Sequence, residues 1–238
     1  MGQFFQVAID GPVAAGKGTL ARLLAEKLHF LYLDTGAMYR AATLLFLRSG
    51  QEISEGNQAA LVDLLQKSSI ELQSNPKKSG SWQTQIFLQQ EDVSEAIRSP
   101  EVDTWVSQVA ALPQIRKVLV AKQQQLAAHQ DIVMEGRDIT TRVLPKAQVK
   151  IYLTASLIER ARRRFAQLQK THPNLTLAQV KKQIVQRDKL DSSRASDPLQ
   201  ISVDAVVVDT TNLRVMAAVD QLVALVAHQR EKSHLTSQ

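Results

Sequence analysis

The sequence predicts an α/β protein in which a mostly parallel sheet carries helices on both faces, together with a small antiparallel insert. Short runs of strand-forming apolar residues alternate with stretches whose apolar positions recur at helical spacing. The first run breaks into a glycine-rich turn that opens a helix, and the segment 69–93 changes to short strands joined by a turn containing proline and glycine. No internal repeat or low-complexity linker interrupts the pattern.

Taken in order, Phe4 to Ile9 reads as a buried strand that stops at Asp10-Gly11-Pro12. Leu20, Leu23, Leu24 and Leu28 then form one apolar stripe on a helix beginning near Lys17. Phe30 to Leu33 is the second strand. Ala37 to Arg48 is a helix ended by Gly50, a residue suited to the left-handed position after a helix, and Ala59 to Leu65 is a further helical stretch. Ile70 to Gln73, Gln83 to Leu88 and Glu91 to Val93 make the antiparallel insert, the first two joined across Asn75 to Gly80. Pro100 and Pro113 each sit where a first helical turn begins, predicting helices through Ala111 and through His129. Ile132 to Met134 and Val149 to Leu153 are strands; Ser156-x-x-Glu159 and Thr176-x-x-Gln179 have the form of capping boxes opening two helices. Ala205 to Val208 is the fifth strand of the main sheet. Val215, Val219, Leu222, Val223 and Val226 outline a closing helix, and 231–238 is expected to be a flexible tail.

Composition excludes several classes of function. At 44% hydrophobic and 22% charged the chain is a folded globular one, and the absence of cysteine rules out disulfides, thiolate metal sites and cysteine nucleophiles. No apolar run approaches the roughly 20 residues of a membrane-spanning helix. The first five residues lack the basic, apolar and small-residue regions of a secretory signal, so the cytoplasm is the expected compartment. The net charge is +6, and the segment 155–198, with six Arg and four Lys against one Glu and three Asp, carries that excess. A local cationic segment points to a phosphorylated ligand, and a solvated helical face is the competing reading.

Gly11-Pro12-Val13-Ala14-Ala15-Gly16-Lys17 fits the pattern G-x-x-x-x-G-K after a strand and before a helix. Backbone N–H groups and a helix N-terminus can surround phosphate oxygens there, while the lysine reaches the β and γ phosphates. The fold expected around such a loop is the three-layer P-loop nucleoside triphosphate hydrolase type with a five-stranded parallel sheet. The general pattern asks for Ser or Thr directly after the lysine, but here Gly18 precedes Thr19. Arg187, Asp191 and Arg194, at i, i+4 and i+7, would share one face of a helix, with the aspartate able to orient either arginine. A surface ion-pair ladder is the competing reading. His29, His129, His172, His228 and His234 show no metal-ligand spacing, and Trp82 and Trp105 read as packing residues.

Gly16-Lys17-Gly18-Thr19 resembles the nucleoside monophosphate kinases. Asp34-Thr35-Gly36-Ala37-Met38-Tyr39-Arg40, Ser107-Gln108-Val109-Ala110-Ala111 and Gly136-Arg137-Asp138 sharpen this into a resemblance to the bacterial cytidylate kinases, running from residue 5 to 213. The resemblance implies one kinase domain over 1–230. Its core would be 1–34, 106–156 and 198–230, its acceptor-binding region 35–105 with the β insert at 69–93, and its helical lid 157–197. It implies transfer of the γ-phosphate of Mg-ATP to CMP and dCMP by a monomer, with no nucleic-acid or membrane partner.

The same resemblance assigns residues. Gly11, Pro12, Val13, Ala14, Ala15, Gly16, Lys17, Gly18 and Thr19 would hold ATP, with Arg160 and Arg164 from the four lid arginines at 160 and 162–164. Asp138, Arg116, Ser107 and Thr35 would read the base and Asp191 the ribose; Arg40, Arg137 and Arg187 would hold the acceptor phosphate, with Tyr39 and Arg194 completing the site. Lys17, Arg137, Arg187 and Arg194 would carry catalysis. Thr19 and Glu135 are candidates to reach Mg2+ through water. Asp34 and Asp138 are not needed as a base, because a nucleoside monophosphate, with a second pKa of about 6, is already largely dianionic at neutral pH. Three positions depart from the family pattern: Val13 for a smaller residue, Glu135 for aspartate and Thr140 for glycine. The rival readings are a nucleotide-dependent switch, although no Asn-Lys-x-Asp guanine reader occurs, an RNA-binding protein acting through its basic segment, and a kinase of UMP.

Overall fold

Strands and helices follow one another in the expected alternation in the computed structural model, which describes residues 4–74, 84–169 and 172–235. β1 (Gln6–Asp10), α1 (Lys17–Leu28), β2 (Leu31–Asp34), α2 (Thr35–Ser49) and α3 (Gln58–Lys67) come first. β3 (Ile70–Ser74), β4 (Thr84–Leu88), β5 (Glu91–Asp92), α4 (Pro100–Ala111) and α5 (Pro113–Ala127) follow. The rest is β6 (Ile132–Gly136), a π-helical turn at Ile139–Val143, β7 (Val149–Thr154), α6 (Leu157–Leu168), α7 (Leu177–Ser193), β8 (Val206–Asp209) and α8 (Val215–Leu235). The main sheet is five-stranded in the order β2-β6-β1-β7-β8, with β1 parallel to β7 (Asp10 opposite Tyr152) and β7 parallel to β8 (Ile151 opposite Val206). The insert is an antiparallel sheet in the order β3-β4-β5, with Leu72 opposite Ile86. The expected turn at 75–80, Trp82 and Gln83 lie outside the described residues.

The chain divides into two compact units. One comprises residues 5–30 with the chain from 133 onward; its core is Val7, Ala8 and Ile9 of β1, Ile151 and Leu153 of β7, Leu24 of α1 and Val219, Leu222 and Val226 of α8, all buried. The other comprises residues 31–132, built around Phe46, Leu61, Leu65, Ile97, Ile115 and Leu119. α4 and α5 group with α2 and α3 in this second unit, whereas the resemblance placed residues 106–132 with the core.

Several element ends differ from expectation for local reasons. β1 starts at Gln6, and Phe5 packs against Phe30 (ring centroids 6.1 Å apart) beneath the Arg230 guanidinium, which lies 5.0 Å and 4.8 Å from the two rings. α1 ends with His29 in the left-handed region (φ 57°), which lets the Phe30 N–H donate to the Ala25 carbonyl, so β2 begins one residue later than expected. α2 begins at Thr35 because the Asp34 carboxylate accepts the Ala37 N–H (3.2 Å), and Gly50 caps its end at φ 68°. At α7 the Thr176/Gln179 capping box is complete. At α6 the Ser156 hydroxyl accepts the Glu159 N–H, but the Glu159 carboxylate pairs with Arg163 (3.0 Å), one turn on in the same helix. The expected tail is helical as far as Leu235, and 236–238 lie outside the described residues.

Gly11 shows how closely the turn after β1 is fitted. Its φ is +152°, and a methyl group there would sit 2.0 Å from the backbone carbonyl oxygen of Leu153 in β7. Gly11→Ala should therefore lower the unfolding free energy by at least about 2 kcal/mol, read as a shifted midpoint in urea unfolding followed by circular dichroism.

Candidate active site

The turn between β1 and α1 has its carbonyls turned inward and bonded. The Lys17 ammonium, 5% exposed, donates to the Pro12 carbonyl (2.8 Å). The Arg160 guanidinium donates to the Val13 carbonyl (3.1 Å), and the buried Thr210 hydroxyl lies 3.2 Å from the Ala15 carbonyl. Gly16 occupies the left-handed region (φ 94°) as the residue preceding α1, and Ala14 does so as well (φ 61°), a conformation that costs a non-glycine residue energy unless its surroundings fix it. Val13 and Ala14 pack against the apolar cluster of Ala161, Val180 and Ile184 on α6 and α7, which gives the valine at 13 a packing role. Gly18 is half-buried and Thr19 exposed on the first turn of α1.

Burial first, and the nearby Arg137 second, lower the Lys17 pKa to about 7 against the opposing fields of Glu135, Asp10 and Asp191. The loop lysine and the carboxylates and arginine at the ends of β1, β6 and α7 thus share one electrostatic neighbourhood. Glu135 is buried at the end of β6, and its negative field suits a cation. Among the described residues, no group of three or more His, Asp or Glu side chains is placed to hold a metal ion by itself.

Arg187 and Asp191 share one face of α7 as the spacing predicts, Arg137 joins them from the end of β6, and Arg194 lies beyond the helix and off that face. The Asp191 carboxylate takes Arg137 Nε on one oxygen (2.8 Å) and Arg187 Nε on the other (3.5 Å). Burial alone would raise the Asp191 pKa, but Arg137, Arg187 and Arg194 hold it below the ordinary carboxylate value. α7 ends at Ser193, so Arg194 stands in extended backbone (ψ 144°), where it faces the Asp138 carboxylate (3.5 Å) and donates Nε to the Asp197 carbonyl (2.6 Å). The sequence spacing missed this because a helix of unknown end extrapolates one residue too far.

The lid arginines sort differently from the expectation of Arg160 and Arg164. Arg160 is buried and bonded to the protein itself: Nη1 to the Val13 carbonyl and to Asp188 (2.6 Å), Nε to the Ala155 carbonyl. Arg164 reaches toward Gln167 (3.5 Å). Arg163 also lies beside the loop, at its Gly16 end, with Nη1 3.7 Å from where a Cβ on Gly16 would lie and with Thr210 and Glu159 as its partners. Adjacent arginines on one helix turn cannot be ranked from spacing alone, and the signal that separates them is Glu159, four residues before Arg163.

In the other unit, Thr35, Tyr39 and Arg40 lie on the first turns of α2, Ser107 on α4 and Arg116 on α5. Arg116, only 2% exposed, donates to the Ala110 carbonyl (3.1 Å), and its guanidinium lies 5.7 Å from the centre of the Tyr39 ring. Arg40 is held by Asp103 (2.6 Å) and the Ile97 carbonyl (3.1 Å). Trp105 is half-buried on α4.

Asp10 and Thr140 are the pair that sequence reasoning did not connect. Asp10 is wholly buried at the end of β1 and accepts the Ile139 N–H (2.9 Å), the Thr140 N–H (2.8 Å) and the Thr140 hydroxyl (2.6 Å). Burial raises its pKa, with those bonds opposing. The threonine that stands where the family has glycine thereby adds a third donor, which ties the segment bearing Arg137 and Asp138 to the strand that feeds the loop.

Comparison with known proteins gives a consistent result. A family model described as cytidylate kinase matches residues 7–228. A cytidylate kinase of Shouchella clausii is 47% identical over 97% of this chain and all of its own length, and one of Carboxydothermus hydrogenoformans is 42% identical over 95% of this chain and 99% of its own. A bifunctional pantoate ligase/cytidylate kinase of Synechococcus sp. (strain JA-3-3Ab) is 45% identical over 95% of this chain, which spans 41% of that relative's length.

Thr140→Val keeps the shape of the side chain but removes its donor. It should cost about 1.5–3 kcal/mol of stability, the range for a hydrogen bond to a charged group, whereas Thr140→Ser should retain most of it; chemical denaturation of the three proteins measures the difference.

Proposed function

Because this chain belongs to the cytidylate kinase family, we propose that it transfers the γ-phosphate of ATP to CMP and dCMP, releasing ADP and the nucleoside diphosphate. The observation that carries the reading is that Lys17 of the phosphate loop and the Arg137–Asp191–Arg187 cluster act on one another electrostatically. A donor triphosphate and an acceptor phosphate both need such cations.

The loop amides from Ala14 to Thr19 and the Lys17 ammonium take the donor phosphates, with Arg163 beside Gly16 as an added cation while Arg160 holds the Val13 carbonyl. Arg137, Arg187 and Arg40 hold the acceptor phosphate, and Arg194 adds charge beside them. The acceptor oxygen is already ionised, so no general base is needed. The work is to align donor and acceptor and to offset the charge on the transferring group, which Lys17 and the arginines supply. Mg2+ bound with ATP would neutralise charge between the phosphates, with Thr19 and Glu135 as the residues to hold its water. Closure of the lid, 157–197, would exclude water that otherwise hydrolyses ATP.

Asp138, Arg116, Ser107 and Thr35 read the base, Tyr39 supports Arg116, and Asp191 takes the ribose. Cytosine offers an N4–H donor beside N3 and O2 acceptors, so a carboxylate and an arginine complement it. Uracil puts an acceptor opposite Asp138. On this reading the protein acts on free nucleotides of pyrimidine metabolism, as a cytoplasmic monomer.

Incubation with Mg-ATP and CMP, dCMP, UMP, AMP or GMP, followed as ADP release, tests the proposal. Turnover led by CMP and dCMP is expected, and turnover without an acceptor, or none, sinks it. Asp138→Ala should cut the preference for CMP over UMP by about tenfold, in keeping with the 1–3 kcal/mol of one base contact, while Lys17→Ala should lose activity with every acceptor.

Lys17 adds a pH signature. With its pKa lowered to about 7 in the free protein, it is mostly neutral at pH 8, and a triphosphate beside it favours the ammonium. ATP binding at pH 8 should then take up about one proton, an uptake that fades below pH 6, where the lysine is already charged. Calorimetry in buffers of different ionisation enthalpy measures it, and Lys17→Met should abolish it.

A further inference from the structure

Two neighbouring acidic residues of α7 serve two different loops. Asp191 gathers Arg137 and Arg187, as described. Asp188, three residues earlier, turns to the phosphate loop: Oδ1 accepts the Val13 N–H (3.1 Å) and Oδ2 takes Arg160 Nη1 (2.6 Å). The same Arg160 nitrogen donates to the Val13 carbonyl (3.1 Å), so both backbone polar groups of Val13 are held by a single ion pair drawn from α6 and α7. Arg160 is fixed in turn by the Ala155 carbonyl at Nε.

The residue after Val13 explains what this clamp is for. Ala14 sits at φ 61°, a conformation that persists only where neighbouring groups over-determine it. Val13 is the residue fixed on its N-terminal side. A lone carboxylate this close to a triphosphate loop would repel the ligand, but here its charge is compensated by Arg160. The pair can therefore shape the loop without opposing the nucleotide.

We infer that Asp188 is a positioning residue for the donor nucleotide, setting the Val13–Ala14 backbone of the phosphate loop through Arg160. Because Asp188 and Asp191 are one turn apart on α7, that helix holds the donor loop and the acceptor-phosphate arginines in register. The inference rests on the kinase reading for its catalytic consequence, and on the loop geometry alone for its effect on ATP.

The test measures KM for ATP and for CMP in Asp188→Ala and Asp188→Asn, with calorimetric ATP affinity in the absence of acceptor. Asp188→Ala, which removes both the Val13 N–H acceptor and the partner of Arg160, should raise KM for ATP about tenfold and leave KM for CMP within about twofold. Asp188→Asn, which keeps an acceptor for the Val13 N–H, should recover part of that loss. An equal rise in both constants, or unchanged ATP affinity in both variants, overturns the inference. Should Asp188→Ala fail to fold, Asp188→Asn decides alone: weakened ATP with CMP unaffected supports the clamp, and wild-type ATP affinity refutes it. A wild-type protein that binds ATP but does not phosphorylate CMP would overturn the kinase reading, while the calorimetric comparison still judges Asp188.

Discussion

A loop that binds phosphate through its backbone must turn its N–H groups outward, and every carbonyl turned inward by that choice then needs a partner. Much of the unit formed by 5–30 and 133 onward answers this need. Lys17 supplies Pro12, Arg160 supplies Val13, and Thr210 supplies Ala15; each donor comes from a different element, α1, α6 and the segment after β8. Gly11, at the start of the turn, lies against the Leu153 carbonyl, where no side chain fits. The loop's form is thus fixed by residues scattered over 200 positions of sequence, and parallel pairing of β1, β7 and β8 is what delivers them to one place.

The charges follow from the same arrangement. Seating Lys17 at the start of α1 and Glu135 near the end of β6 takes both out of water, and isolated charges there would be costly. The structure meets the cost with alternation. Asp10 is surrounded by three donors, Asp191 by Arg137 and Arg187, and Asp138 faces Arg194. Arg137 keeps its proton above the ordinary range even though burial disfavours it, because Asp191 bonds it directly. Lys17 differs, since burial and Arg137 bring its pKa down to about 7 and its ammonium donates to the Pro12 carbonyl and not to a carboxylate.

What the sequence showed of this depended on range. The alternation of strands and helices, the helix over 17–28, the proline-started helices and the capping box at Thr176 are set by residues close together in the chain, and all are present. The phosphate loop was legible because its glycines and lysine are local as well. Tertiary partners were not: nothing in the spacing of Arg160, Arg163 and Arg164 shows that Thr210 will meet one and the Val13 carbonyl another. Thr140 read as a departure beside the base pocket, and only the fold reveals that Asp10 receives its hydroxyl. Arg194 illustrates a boundary effect, since a single residue past the end of α7 changes its carboxylate partner from Asp191 to Asp138.

The lid reading acquires a constraint from these contacts. Swinging α6 and α7 together away from the phosphate loop would strip the Val13 carbonyl of Arg160 and the Val13 N–H of Asp188, and expose Val180 and Ile184 where Val13 and Ala14 now cover them. Unmaking a buried charge-assisted contact costs several times what a surface ion pair does. A lid over 157–197 that closed on substrate would therefore have to carry the loop contact along, with the motion taken up by parts of the segment beyond it. Arg163 and Arg164 lie on the next turn of α6 and Arg187 and Asp191 flank Asp188 on α7, so a movement that preserved the clamp would have to be made by these charged neighbours exchanging the partners they now hold.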